Sequence, residues 1–115
     1  MWEVLKKFNE YLAKRDTSSP RFRRYMAGKV NNRKLAYVTL RREAGDVVLG
    51  KDGYIHVTDD GRLRVICGMD AVFDGAVDET KIAEFLSLDG AVIEGDDAVS
   101  GEHRTVLAHY LYYRK

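Results

Sequence analysis

The sequence predicts an α+β domain in which an antiparallel sheet of about five to six strands packs against two main helices. Short β-rich runs alternate with Asp-Gly and other glycine-containing turns, which is the pattern of an antiparallel sheet. Two longer stretches, residues 2–15 and 78–88, instead repeat apolar residues at three and four positions, which is the spacing of an amphipathic helix. The length of 115 residues predicts a single domain over 1–115.

The clearest local signal is the stretch 53–67, GYIHVTDDGRLRVIC, which predicts a β-hairpin. A two-residue loop would pair polar with apolar side chains across this hairpin. A three-residue loop, closed by Gly61 in the left-handed region, instead places Val57 opposite Leu63 and gives one clean apolar face. Because burial of one face fixes the register of a hairpin, we predict the three-residue loop.

The N-terminal helix is predicted over residues 2–15 and is followed by a basic connector over residues 16–34. Pro20 disfavours helix in the residue before it, so the first helix ends ahead of this proline. Pro20 also suits the first turn of a short helix that runs to about Ala27 and ends at Gly28. The apolar stripe of the N-terminal helix consists of Trp2, Leu5, Phe8 and Leu12.

The second main helix is predicted over residues 78–88, because Asp78 is a suitable N-cap. Its apolar face consists of Ile82, Phe85 and Leu86. The last strand is apolar on both faces, which predicts a central place in the sheet. The strands outside the hairpin are predicted at 35–42, 47–49, 71–73, 91–94 and 105–113, with a turn at 50–53 and a loop at 95–103.

The predicted core combines the stripe of the N-terminal helix with the inward residues of the other elements. Those further residues are Leu35, Val38, Leu40, Ile55, Val57, Leu63, Val65, Ile82, Phe85, Leu86, Val92, Leu107 and Tyr110.

Composition indicates a soluble globular chain without a membrane span, and neither a membrane partner nor a cofactor is expected. Apolar residues make up 45% and charged residues 32% of the sequence, and no apolar run is long enough to span a bilayer. The N-terminus spreads its charges and does not resemble a signal peptide. Cys67 is the only cysteine, so no intramolecular disulfide can form, and a reducing cytoplasm is the expected location.

Charge is distributed unevenly along the chain, although its net value is +1. Residues 1–42 contain twelve Lys and Arg against three Asp and Glu, whereas residues 43–115 contain seven against fifteen. This asymmetry points to an acidic partner for the basic part. Mutual neutralisation of the two parts, within the fold or between protomers, is the alternative.

Two groups of residues are candidates for binding such a partner. The segment 21–34 interleaves cations with aromatic rings, which suits phosphates and bases of single-stranded nucleic acid, although a solvated connector fits equally well. The outward face of the hairpin, where His56 lies opposite Arg64, carries further cations and rings, and an ordinary solvent face is its alternative. The candidate binding residues are Arg21, Phe22, Arg23, Arg24, Tyr25, Arg33, Lys34, Tyr54, His56, Arg62 and Arg64.

A second hypothesis is a small enzyme or a metal-dependent regulator that uses the acidic stretch 94–103. Dense oxygen ligands suit Ca²⁺ or Mg²⁺, but the spacing does not match an EF-hand loop, and no phosphate loop, GxSxG or HExxH motif is present. His56 and Cys67 are expected on opposite faces of the hairpin, which argues against a nucleophile and base. The metal-ligand candidates are Glu94, Asp96, Asp97, Glu102 and His103.

The sequence therefore favours a non-enzymatic binding module for nucleic acid or an acidic protein surface, acting through the basic segment 21–42. A homodimer is also expected, because two helices cover both faces of the sheet only with difficulty and the last strand is apolar on both. A monomer in which segment 21–34 folds over the second face is the alternative.

Overall fold

The computed structural model describes residues 20–111, which form one α-helix and a seven-stranded antiparallel sheet curved into a half-barrel. The strand order is β4-β3-β2-β1-β7-β6-β5. A short 3₁₀ turn, Val77–Glu79, connects β4 to β5. The elements are α1 (Pro20–Val30), β1 (Lys34–Leu40), β2 (Val47–Val57), β3 (Arg62–Cys67), β4 (Asp70–Ala76), β5 (Lys81–Glu84), β6 (Gly90–Asp97) and β7 (Glu102–Tyr110).

The sheet curls so far that the end of β4 meets the end of β6. The Ala98 N–H donates to the Asp74 carbonyl over 2.8 Å, and the Asp74 N–H donates to the Asp97 carboxylate over 2.9 Å. Gly75 permits this approach, because a Cβ at this position would lie 3.1 Å from the Asp96 carbonyl oxygen. The concave inner face therefore becomes a space that a single helix can fill.

The core lies between this inner face and α1. The helix contributes Met26, Ala27 and Val30, which are 7%, 2% and 0% exposed. It continues past the predicted end at Gly28 to Val30, since the burial of Val30 outweighs the low helix propensity of glycine. Among residues 20–111 no helix is long and apolar enough to cross a membrane. The sheet contributes Leu35, Val38, Ile55, Leu63, Val65, Cys67, Phe73, Ile82, Ala91, Ile93, Val106, Ala108 and Tyr110.

The register predicted for the central hairpin is confirmed. Val57 pairs with Leu63 and His56 with Arg64, around a three-residue loop. Gly61 closes that loop with a φ of 84°, a conformation that glycine adopts without a Cβ clash. The predicted central place of the last strand is also confirmed, since β7 lies between β1 and β6.

The prediction of two main helices with five to six strands is wrong. Residues 78–88 contain the 3₁₀ turn, the edge strand β5 and a turn, and they pair with β6 as a hairpin. Leu86, predicted in the core, is 52% exposed, whereas Ile82 points into the core from β5. The main-chain hydrogen bonds offered by β6 outweighed the helical spacing of the apolar residues. The N-terminal helix predicted at 2–15 lies outside the described residues.

The turn predicted at 50–53 is also wrong, because β2 runs unbroken through this region. Its two glycines are required by close packing. A Cβ at Gly50 would lie 2.5 Å from the Cys67 Cβ, and one at Gly53 would lie 2.2 Å from the Ile66 carbonyl oxygen. Similarly, β6 and β7 extend into the predicted loop at 95–103, so that only residues 98–101 form the turn. Glycine in these strands indicates close backbone approach and not an interruption.

Replacing Gly53 with alanine should destabilise the fold by about 1–3 kcal/mol, because the added methyl group overlaps the Ile66 backbone. Gly28→Ala is the matched control. Gly28 lies in α1 with open space around its Cβ position, so this substitution should stabilise the protein by about 0.5–1 kcal/mol. Urea unfolding followed by circular dichroism measures both. Equal midpoints for Gly53→Ala and the unmodified protein would contradict the close approach.

Candidate functional site

The residues predicted to bind an acidic partner lie on two separate surfaces. Helix α1 packs on the inner face of the sheet, so its exposed side points away from the sheet. The hairpin candidates stand on the opposite, outer face, because the residues that alternate with them are buried. Arg33 and Lys34 join the two surfaces, and the alternation of β1 places only Lys34 on the outer face. The predicted residues therefore do not form one continuous site.

Two basic residues of α1 are paired with acids from the second half of the chain. Arg24 Nη2 lies 3.5 Å from Asp78 Oδ2, and Lys29 Nζ lies 3.4 Å from Glu84 Oε2. The basic side chains of these pairs are 71% and 49% exposed, and ion pairs that are this exposed contribute little to stability. They do show that the charge asymmetry of the sequence is partly cancelled within the fold.

The aromatic residues of α1 face different ways. Phe22 is half-buried and packs against the core, so it is not free to stack on a ligand. Tyr25 is 64% exposed and lies on the same open side as Arg21. Arg23 is half-buried. The open side of α1 thus retains one aromatic ring from the predicted binding residues.

Arg33 lies over the ring of Tyr110, with its guanidinium carbon 4.1 Å from the ring centroid. Tyr110 is 9% exposed, and its hydroxyl has no hydrogen-bond partner in the described part of the chain. Burial, with a further contribution from Glu84, raises the pKa of Tyr110 to about 12, although Arg33 acts in the opposite direction. Arg33 therefore makes a cation–π contact within the fold.

The outer face of β1, β2 and β3 carries a continuous group of cations and aromatic rings, which we name the outer strip. Cross-strand pairing places Lys34 opposite Tyr54 and His56 opposite Arg64. Tyr37 and Tyr54 are 39% and 42% exposed. The outer strip consists of Lys34, Tyr37, Lys51, Tyr54, His56, Arg62 and Arg64.

Asp74 of β4 holds the two arginines of the outer strip in place. Its Oδ1 accepts a hydrogen bond from Arg62 Nε over 2.9 Å, and its Oδ2 accepts one from Arg64 Nε over 3.3 Å. The Arg62 Nη2 also donates to the Asp74 carbonyl. One carboxylate thus orients two guanidinium groups, whose side chains remain 32% and 43% exposed.

At the other side of the outer strip, Tyr37 stacks on His109 of β7. Their ring centroids are 4.1 Å apart with an interplanar angle of 15°, and Phe85 meets the imidazole edge-on at 5.5 Å. His109 Nε2 is 3.2 Å from Thr39 Oγ1. Burial lowers the pKa of His109, although Asp46 acts in the opposite direction. A neutral imidazole therefore extends the aromatic surface of Tyr37.

An open pocket of about 500 Å³ lies where the outer strip meets the end of the α1–β1 connection. We name it the Tyr54 pocket. The Leu111 N–H donates to the Lys34 carbonyl over 2.9 Å, which fixes one rim of the pocket. Its walls combine a ring, an amide, a carboxylate, an ammonium group and two leucines, contributed by Tyr54, Asn32, Asp52, Lys34, Leu35 and Leu111.

Three of the predicted metal ligands come together on the outer face. His103 Nδ1 is 3.0 Å from Asp96 Oδ1, and His103 Nε2 is 3.2 Å from Glu94 Oε2. The hydrogen bonds to Asp96 and then Glu94 raise the pKa of His103. The carboxylates occupy opposite edges of the ring, a geometry that suits an imidazolium. Within residues 20–111 no group of three His, Cys, Asp or Glu side chains could hold a metal ion.

The other two predicted ligands lie elsewhere. The Asp97 side chain is buried, and it accepts hydrogen bonds from the Asp74, Val99 and Ser100 N–H groups at 2.9–3.0 Å. Burial acts to raise the pKa of Asp97, but hydrogen bonds led by that of Ser100 bring it below its ordinary value. Glu102 is exposed at the start of β7. The stretch 94–103 therefore contains an ion-pair cluster and a structural carboxylate.

Cys67 lies in the core and His56 on the outer face, as the predicted register requires. Burial raises the pKa of the Cys67 thiol, so the thiolate that nucleophilic chemistry requires is disfavoured. The cytoplasmic location remains a prediction.

Sequence reasoning missed Tyr37 and Lys51 as members of the outer strip. Alternation could not have found Tyr37, because Tyr37 lies two residues from Leu35 and would share its face in a regular strand. A register irregularity between these two residues turns Tyr37 to the outer face. Lys51 was hidden by the turn predicted around it. No family model, no curated protein and no solved structure matches this chain.

Replacing Tyr110 with phenylalanine should stabilise the protein at neutral pH by about 1 kcal/mol, because it removes a buried hydroxyl without a partner. The raised pKa of Tyr110 gives a second effect. Tyr110 ionises at a lower pH in the unfolded chain than in the folded protein. The stability that depends on neutral Tyr110 is therefore fully present below pH 10 and falls as the pH rises towards about 12. Tyr110→Phe should weaken this alkaline loss, whereas Tyr25→Phe, at an exposed tyrosine, should not. Thermal unfolding across alkaline pH checks both variants.

Proposed function

We propose that this protein is a non-enzymatic binding module for an acidic partner, and that the outer strip is its binding surface. The observation that carries the proposal is the convergence of four cations and two exposed tyrosines on one face of three adjacent strands. Phosphates attract such cations, and flat rings accept flat ligands. Nucleic acid is the acidic partner that would use both groups.

The outer strip is favoured over α1 as the binding surface. Arg24 and Lys29 of α1 are matched by Asp78 and Glu84, and Phe22 is packed on the core. The arginines of the outer strip also meet a carboxylate, but a single one serves both of them. The outer strip therefore keeps an excess of positive charge beside its exposed rings.

The alternative function, an enzyme or a metal-dependent regulator acting through residues 94–103, has weaker support. His103 lies between Glu94 and Asp96, and both ring nitrogens are engaged by carboxylates. Asp97 is occupied by backbone N–H groups. We retain it as a hypothesis without a site.

Binding to single-stranded and duplex nucleic acid over a salt series tests the proposal. Each phosphate contact should add about 0.7 to the log–log salt slope for single strands and about 0.9 for duplexes. Lys51→Gln and Arg64→Gln should each lower the slope by about that amount, since each removes one cation of the outer strip. Fluorescence anisotropy of labelled strands measures the affinities.

Arg21→Gln is the matched control, because it removes one exposed cation from α1. It should leave the slope unchanged. A slope that falls for Arg21→Gln and not for the outer-strip variants would move the site to α1. Absence of binding at low salt would refute nucleic acid as the partner.

We also propose that the protein forms a homodimer, through a different surface from the one that the sequence suggested. Leu107 on the outer face of β7 is buried beside Phe85, so the last strand is covered. β3 pairs with β2 only from Gly53 onward. Among the described strands, none therefore pairs with the part of β2 that precedes Gly53 on its β3 side. Val48 on this segment is 54% exposed. A two-fold axis would pair this edge with itself in a second copy.

Sedimentation equilibrium should show a species of twice 13.1 kDa at micromolar protein. Val48→Lys should shift it towards the monomer, because charged side chains protect open strand edges. Val99→Lys is the control, since Val99 is 56% exposed in the turn between β6 and β7. A species of 13.1 kDa that does not change on concentration, or a dimer that persists in Val48→Lys, would contradict the proposed interface.

A further inference from the structure

We propose that the Tyr54 pocket holds one unstacked nucleobase of a single strand whose phosphates follow the outer strip. This inference rests on the proposed function, and it adds a defined subsite for a base. The volume of the Tyr54 pocket, about 500 Å³, lies within the range of small-ligand sites, roughly 300–1,000 Å³. An open mouth suits a base that remains attached to a chain.

The apolar walls of the pocket suit a flat ring. Tyr54 is 42% exposed and lies next to Lys34 in the cross-strand pair. Leu111, which is 41% exposed, adds apolar surface. Stacking of a base on an aromatic side chain is worth roughly 1–3 kcal/mol, and it operates for every base. Tyr54 therefore supplies affinity without sequence preference.

The polar walls suit the edge of a base. Asn32 offers both a donor and an acceptor, and the Asp52 carboxylate offers acceptors. Acidic side chains accept hydrogen bonds from exocyclic amino groups such as cytosine N4. Adenine and cytosine carry such an amino group at this edge, whereas thymine presents a carbonyl oxygen there. Asp52 should therefore favour amino bases over thymine.

The two polar residues of the pocket have left-handed backbone conformations. Asn32 and Asp52 have φ values of 64° and 55°, and among the described non-glycine residues Leu88 is the other with positive φ. Asn and Asp adopt this conformation more readily than other non-glycine residues, and Asn32 adopts it just after the end of α1. The Asn32 N–H donates to the Ile55 carbonyl over 2.8 Å, which fixes Asn32 at the rim.

The outer strip continues from the pocket along β1 and β2, and this is the path that we propose for the nucleic-acid strand. Tyr37 and Lys51 are opposite each other, three residues along from the Lys34–Tyr54 pair. At about 3.3 Å per residue this offset is roughly 10 Å. The second ring, stacked on His109, can thus receive a neighbouring base, while Lys34 and Lys51 meet the intervening phosphates.

Anisotropy titrations with labelled homopolymers of deoxyadenosine, deoxycytidine and thymidine test the base subsite. The protein should bind the first two roughly tenfold more tightly than the third. Asp52→Gly should abolish this preference while leaving the affinity for thymidine equal or higher, because glycine keeps the positive φ and the lost acid had repelled phosphates. Glu102→Gln removes an acid at the opposite end of the sheet and should retain the preference.

Tyr54→Leu should weaken all single strands by roughly tenfold and leave duplex binding unchanged, while Tyr54→Phe should bind as the unmodified protein does. Asn32→Gly also tolerates the positive φ and should likewise reduce the preference for amino bases. It serves as the second variant if Asp52→Gly fails to fold. Equal affinity for all three homopolymers, or no effect of Tyr54→Leu, would overturn the base subsite and leave the proposed function intact.

Two further outcomes separate this inference from its alternatives. Adenosine monophosphate that displaces the strand at an equal nucleotide concentration would make a free nucleotide the occupant and overturn the single-strand assignment. Absence of any polyanion binding would refute the proposed function together with the subsite.

Discussion

The curvature of the sheet depends on one buried carboxylate. Asp97, 2% exposed, sits at the end of β6 and accepts the N–H groups of Val99 and Ser100 from its own turn and that of Asp74 from β4. It therefore connects two strands that do not neighbour each other in the strand order. A carboxylate in this position forms charge-assisted hydrogen bonds, which are stronger than neutral ones and offset the cost of its burial. The half-barrel is consequently closed on one side by a polar contact, and its apolar interior is left to one helix.

This closure explains why a second helix over residues 78–88 is not required. A flat sheet would need a helix layer on each apolar face, whereas the curled sheet encloses its own inner residues, and α1 covers the remaining opening with Met26, Ala27 and Val30. The segment after β4 is therefore available to extend the sheet, and β5 adds an edge strand that places Ile82 in the same core. On the outer face, Phe85 covers Leu107 from the turn that follows β5.

The parts of the fold that the sequence predicts correctly are those set by short-range pattern. Alternation fixed the hairpin register, and turn chemistry located the positive φ of Gly61. The second helix was predicted wrongly because three apolar residues at helical spacing also fit a short strand followed by a turn, and long-range pairing with β6 decided between them. Of the candidate binding residues, the hairpin members could be placed together from the sequence. Their separation from α1 could not, since it depends on which face of the sheet α1 packs against.

Asp74 connects this curvature to the outer strip through different atoms. Its backbone N–H and carbonyl face β6 and its turn, where they bind Asp97 and Ala98. Its side chain faces outward, where it binds Arg62 and Arg64. A phosphate on the outer strip would compete for these guanidinium groups with the carboxylate and with the Asp74 carbonyl, to which Arg62 Nη2 also donates. The bonds from the Asp74 and Ala98 N–H groups do not involve the arginines. In the proposed binding mode, the arginines would therefore exchange one anion for another without opening the half-barrel, and Asp74 orients them over the sheet in the unbound protein.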